Sequence, residues 1–333
     1  MKAVMVDRTA HHFFTCYDNE QRVYDEAGIE FVVADVKSPE EYIEVAHDAD
    51  AVMSCSTKTD KYIIDHLPKV KVFSTYGVGF DQFDVPYCTE KGIVVCNNPN
   101  FGTNEVASHA LALALNCIKK LTIYNDTIKN KHIWLAGDDY ATDRVTTLTL
   151  GLCGFGAIAR RMAYFSEHLF KEIIAYDPFL PDEVFKEAGV RRVTFDELLA
   201  QADVISVHTP LNKDTHWLFN KEAFAKAKRG LMLVSTARGG VINTDDLCDA
   251  IDAGIVRAAG LDVVDGEPIT DPDARIAKYN NVTLTPHTAA ESRQYCDQLQ
   301  TNIATSCVKV LRGEMPPNAL NGKDILARGN QRR

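Results

Sequence analysis

Short apolar runs alternate with longer, polar-faced stretches along almost all of this 333-residue chain. Within residues 1–100 the apolar runs fall at 3–6, 29–33, 51–54, 70–74 and 93–95. Helix-compatible stretches at 19–27, 40–47, 60–67 and 85–91 separate them. Such alternation predicts a parallel sheet with helices on both faces. A second series follows, with apolar runs beginning near Thr149 and then at 173–176, 204–208, 231–235, 259–263 and 282–285. Helical stretches at 183–188, 195–201, 221–227 and 244–253 lie between them, and Gly189, Gly230 and Gly254 sit where helices would stop. Six parallel strands with crossovers are therefore expected in this half.

Two longer helices bracket the second series. Val106, His109, Ala110, Leu113 and Cys117 recur at helical spacing and predict one helix over 105–128, and residues 292–311 predict another. The chain is expected to leave its first domain along the first helix and to return along the second. That gives a discontinuous domain, 1–104 with 291–321, and a continuous one, 105–290, with a hinge of two linkers. Residues 98–104 read as punctuation, 130–147 as a polar arm suited to oligomer contacts, and 322–333 as a disordered tail.

The stretch from Thr149 to Pro178 carries the first chemical signal. An apolar run enters Gly151-Leu152-Cys153-Gly154-Phe155-Gly156-Ala157-Ile158-Ala159, a helix-like run follows, and a second apolar run ends at Asp177. Strand, tight turn, helix, strand and acid in that order form a βαβ unit able to hold a dinucleotide. Gly154 would permit the sharp turn, and Gly156 would let the backbone approach a pyrophosphate seated on the helix N-terminus. Ala159 takes the packing position. A glycine-rich turn in an ordinary α/β protein is the competing reading. Cys153 reads as a small packing residue.

Composition narrows the field. A net charge of −10 argues against a non-specific nucleic-acid binder. No apolar run approaches the roughly 18 residues of a membrane span. The first residues fit a mature cytosolic start rather than a signal peptide. Nine scattered cysteines form no C-x-x-C pair and no zinc spacing, which points to reduced thiols, a cytoplasmic location and no metal site.

Three polar residues fall just past predicted strand ends: Arg238 in Ala237-Arg238-Gly239-Gly240, Glu267 in Asp265-Gly266-Glu267-Pro268, and His287 in Thr285-Pro286-His287. Open α/β sheets hold ligands at these ends. Taken alone, each residue is more often structural: Arg238 a helix-end cation, Glu267 a loop surface charge, His287 a satisfied turn histidine. Together they suit hydride transfer to a 2-keto acid. The reaction needs a planar cation for the carboxylate and carbonyl, a proton donor, and an acid to orient the imidazole. Two glycines in Tyr76-Gly77-Val78-Gly79-Phe80-Asp81, past the fourth strand, would expose backbone N–H groups, although a plain β–α turn reads the same way. His109 reads as a packing or cleft-wall residue.

With these motifs in view, the sequence resembles the D-isomer-specific 2-hydroxyacid dehydrogenase family from about Val4 to Asn321. The matching stretches are Tyr76 to Asp81, Gly151 to Ala159, Tyr176-Asp177-Pro178, Ser206-Val207-His208-Thr209-Pro210-Leu211, Ala237 to Gly240, Gly260-Leu261-Asp262-Val263 with Glu267-Pro268, and Thr285-Pro286-His287. The resemblance implies an α/β fold: a Rossmann cofactor domain plus a discontinuous flavodoxin-like substrate domain. It implies an NAD-dependent oxidoreductase acting between a 2-keto acid and a D-2-hydroxy acid. Arg238 would bind the substrate carboxylate and keto oxygen, with backbone N–H groups of Val78 and Gly79 on the same carboxylate and Tyr76 beside them. His287 would be the acid/base, and Glu267 would pair with it and raise its pKa. For the cofactor, Gly154, Gly156, Ala157 and Ile158 would take the pyrophosphate, and Asp177 the adenosine ribose. Thr209, Thr236, Ala237 and Asp262 would line the nicotinamide half, with Thr103, His208, Pro210, His287 and Ala290 completing the set. A homodimer built on the cofactor domains is the family expectation. One branch of the family uses this fold as an NAD-responsive corepressor, which is the alternative function.

Particular residues refine the expectation. The Asp177 carboxylate would repel a 2′-phosphate, with no cation in Pro178-Phe179 to offset it, so NAD is expected over NADP. The absence of cations in residues 74–84 weakens a phosphorylated substrate, and Glu267 argues against a formate dehydrogenase, where Gln is usual. No regulatory domain is expected after residue 321. Two stretches depart from the family. Val106-Ala107-Ser108-His109 stands where many members carry Ala-Glu. Thr288-Ala289-Ala290 stands where D-lactate dehydrogenases carry bulky aromatics, so a 2-keto acid larger than pyruvate is expected.

Overall fold

The computed structural model describes residues 1–7, 16–99, 102–134 and 141–331. The chain divides into two compact units, Met1–Phe101 with Glu291–Arg333, and Gly102–Ala290. Asn100 and Phe101 of the expected linker, and 135–140 of the expected arm, lie outside the described residues.

The first unit is a five-stranded parallel sheet. Its strands are β1 (Lys2–Met5), β2 (Glu30–Val33), β3 (Ala51–Ser54), β4 (Val72–Thr75) and β5 (Val94–Cys96), in the order β2-β1-β3-β4-β5. This is the flavodoxin-like order. Helices α1 (Asp18–Ala27), α2 (Pro39–Ala46), α3 (Lys61–Asp65) and α4 (Val85–Lys91) make the crossovers. Their starts are written locally. Ser38, Asp60 and Asp84 each accept the backbone N–H three residues on, and Pro39 and Pro86 fall in first turns that have no use for a donor. Val4, Val52, Phe73 and Val95 point to one face and pack with Tyr42, Ile63, Ile64 and Cys88 from α2, α3 and α4. On the other side α12 (Arg293–Leu311) packs against α1 and across β3, β4 and β5.

The last part of the chain closes the β5 edge. Asn321 is 2% exposed, and its side chain accepts the Val95 N–H and donates to the Ile93 carbonyl and Thr89 hydroxyl. Leu320 N–H donates to the Val95 carbonyl. An edge strand left unpaired would be a template for other chains. From this anchor the chain forms α13 (Gly322–Gln331), where the sequence suggested a disordered tail. The Asn321 anchor, which periodicity does not reveal, starts this helix.

The second unit is a seven-stranded parallel sheet, β12-β11-β10-β9-β6-β7-β8. The strands are β6 (Thr149–Cys153), β7 (Glu172–Tyr176), β8 (Arg191–Arg192), β9 (Val204–Val207), β10 (Leu231–Ser235), β11 (Val256–Leu261) and β12 (Val282–Leu284). Strand order reverses between β6 and β9, the crevice where a doubly wound sheet takes its dinucleotide. One strand more is present than the six expected. β8 is two exposed arginines at the sheet edge, Arg191 pairing with Glu172 and Arg192 with Asp182, so no apolar run marks it. β11 also begins before the apolar run at 259–263, because Arg257 interrupts the pattern with an exposed side chain. Separate cores cover the two sheet faces, one around Ile205, Leu233, Phe219 and Leu247 and the other around Leu150, Leu152, Met162 and Leu113.

The helix expected over 105–128 is broken. α5 (Thr103–Lys119) and α6 (Leu121–Lys129) meet at 62°. Lys120 at the joint is left-handed, with φ 55°. The Asn116 side chain captures the Thr122 N–H at 3.0 Å, a donor that a continuous helix would give to Ile118, and also binds the Thr283 hydroxyl at 2.7 Å. No single helix among the described residues is long and apolar enough to cross a membrane.

Glu20, on the first turn of α1, is fully buried in the first unit. Burial pushes its carboxyl up to about 7, outweighing its own backbone hydrogen bond and the Tyr76 hydroxyl, with Asp18 adding to the rise. The folded chain therefore keeps a proton that the unfolded chain releases near the ordinary carboxylate pKa. Stability contributed by this group is complete below that value and is lost as pH rises through about 7. Glu20→Gln mimics the neutral acid. Compared at pH 5 and pH 8 by urea unfolding, the wild type is expected to lose on the order of 3 kcal/mol relative to this variant.

Candidate active site

Three successive strand ends of the second unit carry the predicted polar residues. Arg238 follows β10 and extends past Thr236 and Ala237, with its guanidinium donating to the Ala237 carbonyl at 2.8 Å. Gly239 comes next, and a Cβ there would lie 2.0 Å from the Val264 carbonyl oxygen. Only glycine lets the Arg238 loop press against the loop after β11. That second loop is held by Glu267, whose Oε2 accepts the Val264 N–H at 3.1 Å.

Glu267 Oε1 lies 2.6 Å from His287 Nδ1. Burial pushes the Glu267 carboxyl up, but the His287 hydrogen bond and charge, the Val264 N–H and Arg238 together leave it below the usual carboxylate range. The acid therefore stays ionised and fixes a proton on Nδ1. Nε2 of the half-exposed imidazole has no protein partner among the described residues. A histidine held by an ionised carboxylate at one nitrogen and open at the other is arranged for proton transfer at the open one.

His287 has φ 56°, a costly conformation for a residue with a β-carbon. Asp262 keeps it there. This carboxylate is 2% exposed and accepts the Thr285 hydroxyl at 2.5 Å and the N–H groups of Thr288 and Ala289 at 2.8 and 2.9 Å. Its own carbonyl accepts the His287 N–H. His109 Nε2 lies 3.0 Å from the Thr285 hydroxyl. His109 thus belongs to this network, a tie that its position on a helix face gave no means of seeing. Ala289 is buried beneath Asp262, so of the small residues at 288–290 only Thr288 and Ala290 are partly exposed.

The glycine turn has the geometry a dinucleotide needs. Gly154 has φ 85°, and a Cβ there would meet the His208 carbonyl carbon and the Thr209 nitrogen at 3.0 Å. A Cβ on Gly156 would instead point into open space. α7 (Ala157–Ser166) starts at once with no side-chain cap, so the N–H groups of Ala157 and Ile158 find no acceptor among the described residues. Asp177, at the end of β7, accepts the N–H groups of Phe155 and Phe179, each at 3.0 Å. Arg192 donates to the Asp177 carbonyl and pairs with Asp182, so a cation does lie near, but it is engaged. At the ends of β9 and β10, Thr209 Oγ1, Thr236 Oγ1 and His208 Nε2 are buried without partners among the described residues, as groups that hydrogen-bond a cofactor should be. Burial pushes the His208 imidazole down to about 4, so it is neutral. Pro210 and Ala237 sit on the same loops, Ala290 lies past β12, and Thr103 is the first residue of α5. These residues fit NAD.

In the first unit, the loop after β4 carries Tyr76, Val78 and Gly79. The N–H groups of Val78 and Gly79 have no acceptor among the described residues. Tyr76 is only 5% exposed, and its hydroxyl donates to Glu20 at 3.0 Å. Its side chain therefore faces the interior rather than a ligand. A concavity of about 520 Å³ in the second unit, lined by Trp217, Asp245, Asp265 and Arg275, includes none of Arg238, Glu267 or His287. No group of three metal-ligating side chains occurs among the described residues.

Residues 111–289 match the family model of the D-isomer specific 2-hydroxyacid dehydrogenase NAD-binding domain. D-3-phosphoglycerate dehydrogenase of Mycobacterium leprae is 37% identical over 279 residues, covering 82% of this chain and 51% of that protein. The chain thus spans about half the length of the phosphoglycerate dehydrogenases it matches here. A glyoxylate reductase of Korarchaeum cryptofilum is 32% identical over 295 residues, covering 86% of this chain and 87% of that one. The crystal structure of Aquifex aeolicus D-lactate dehydrogenase, complexed with NAD and lactic acid, superimposes with a TM-score of 0.81 at 27% identity, over 94% of this chain and 96% of that one. The chain belongs to the D-isomer specific 2-hydroxyacid dehydrogenase family, with NAD as the cofactor of its second unit.

Proposed function

We propose that this chain is an NAD-dependent oxidoreductase interconverting a 2-keto acid and a D-2-hydroxy acid. The observation that carries this reading is the 2.6 Å His287–Glu267 pair, with Nε2 unengaged and Arg238 on a neighbouring strand end. NADH supplies the hydride when bound. Arg238 binds the substrate carboxylate and keto oxygen, its planar fork matching both. His287 gives its Nε2 proton to the keto oxygen as the hydroxyl forms, and takes one back in oxidation. Glu267 holds the ring in place through Nδ1 and sets which nitrogen faces the substrate. The first unit contributes the Val78 and Gly79 N–H pair, donors suited to a carboxylate.

Thr288 and Ala290, small where aromatics would narrow the site, favour a substrate side chain larger than a methyl group. A homodimer built on the second unit belongs to the same proposal, since Leu121, Ile128, Ile133 and Trp134 are exposed apolar side chains there. So does a cytoplasmic location, which suits nine unpaired cysteines.

NADH oxidation against a panel of 2-keto acids tests the reaction. Turnover is expected, with a keto acid larger than pyruvate giving the highest kcat/KM. His287→Ala is expected to lower kcat by about 10²–10⁴ while NADH affinity is kept. Failure of every keto acid, with NADH still bound, would favour the corepressor-like alternative.

The cofactor loop is tested separately by binding. Gly156→Val should weaken NADH by about tenfold or more without lowering Tm, because its side chain enters space that only a ligand fills. The wild type should prefer NADH to NADPH. Equal affinity for the two, or an unchanged Kd in the variant, would contradict the assignment.

A further inference from the structure

The loop that offers the Val78 and Gly79 N–H groups is tied down on its carbonyl side. The Thr75 and Gly77 carbonyls accept from Asn98 Nδ2 and Asn98 N at 2.9 and 2.8 Å, and the Val78 carbonyl accepts from Asn97 Nδ2 at 2.8 Å. Gln82 Nε2 donates to the Thr75 hydroxyl at 2.8 Å. With the carbonyls fixed inward, the following N–H groups point away from these anchors. Asn97 and Asn98 are 5% and 2% exposed, so the anchors are part of the interior.

The remaining anchor lies at the root of the loop, where Tyr76 reaches Glu20 at 3.0 Å. Glu20 is 0% exposed, and its Oε2 has no partner among the described residues. A buried carboxyl with an unpartnered oxygen is costly, and an apolar residue would fill this place in an α/β core at less expense. The crossover of α1 does not require it. Among the described residues, the group the carboxyl engages across the core is the hydroxyl of the residue before Gly77. Gly77, at φ 156°, lacks the β-carbon that would limit its backbone, so the loop needs a hold on either side of it.

We propose that Glu20 and Tyr76 form a buried latch that sets the Gly77–Gly79 backbone, so that the Val78 and Gly79 N–H groups stand as a fixed pair of donors for the substrate carboxylate. Glu20 is thereby a positioning residue, lying under the loop and touching no ligand. The identity of the ligand rests on the 2-keto acid reading above, whereas the latch itself does not. Tyr76 remains a donor throughout, because burial pushes its hydroxyl pKa well up. A side chain that accepts at the Glu20 position is therefore what the latch requires.

Three variants of the full chain test the latch: Tyr76→Phe, Glu20→Leu and Glu20→Gln. Hydrogen–deuterium exchange of peptides spanning 73–84 reads the loop directly. KM for the best keto acid, kcat and the NADH Kd read its consequence. Tyr76→Phe and Glu20→Leu are expected to speed exchange at 77–79 and to raise KM, each by about tenfold, the scale of one lost hydrogen bond. kcat should stay within about twofold and NADH binding should not change. Glu20→Gln keeps an acceptor and is expected to restore both readings. Unaltered exchange and KM in folded Tyr76→Phe would overturn the proposal. So would a parallel loss of kcat, KM and NADH binding, which marks a general loss of structure. If the wild type turns over no keto acid, the functional reading fails, and the loop exchange still decides the latch.

Discussion

The buried carboxylate of Asp262 is the interaction on which the site depends. It gathers a hydroxyl and two N–H groups from the turn at 285–289, and its own carbonyl takes the His287 N–H. A charge removed from water is tolerable only with such donors around it. The bonds act in both directions: the donors satisfy the carboxylate oxygens in the core, and the acid keeps the turn in a conformation it would not hold alone. His287 can therefore sit at φ 56° and present its ring to Glu267. The close approach of Gly239 to Val264 brings the Arg238 loop against the same framework. Arginine, acid and imidazole come from three strands but rest on one set of buried contacts.

The two units divide the demands of the chemistry. The second holds every charged group assigned to the reaction and the buried hydroxyls suited to the cofactor. The first carries two backbone donors, Val78 and Gly79, with no acceptor among the described residues. Backbone N–H groups recognise a carboxylate without carrying a counter-charge of their own, so their position decides their value. That is why the carbonyl anchors at Asn97 and Asn98 lie in the interior of the unit.

The fold was legible wherever burial imposed a period. Strands such as Ala51–Ser54 and Leu231–Ser235, and helices such as Val85–Lys91 and Phe195–Gln201, fall where their apolar patterns put them. What stayed hidden rests on polar side chains acting at a distance. β8 is held by ion pairs, α13 grows from Asn321, and the break at Lys120 follows from Asn116 capturing Thr122. The site divides in the same way. That Arg238, Glu267 and His287 each follow a strand end could be read from the apolar runs before them. The Asp262 hub, with His109 behind Thr285, and the inward turn of Tyr76 could not, because no spacing records which buried group a hydroxyl meets.

On the proposed function, NADH held by the second unit would deliver a hydride to the keto carbon, with His287 as the proton donor to the oxygen. NADH carrying deuterium at C4 of the nicotinamide, on the transferred face, tests this most directly when the hydroxy acid product is analysed by mass spectrometry and chiral chromatography. One deuterium bonded to C2 of a product that is entirely the D enantiomer is expected. Product without deuterium at C2, or of the L configuration, would contradict it.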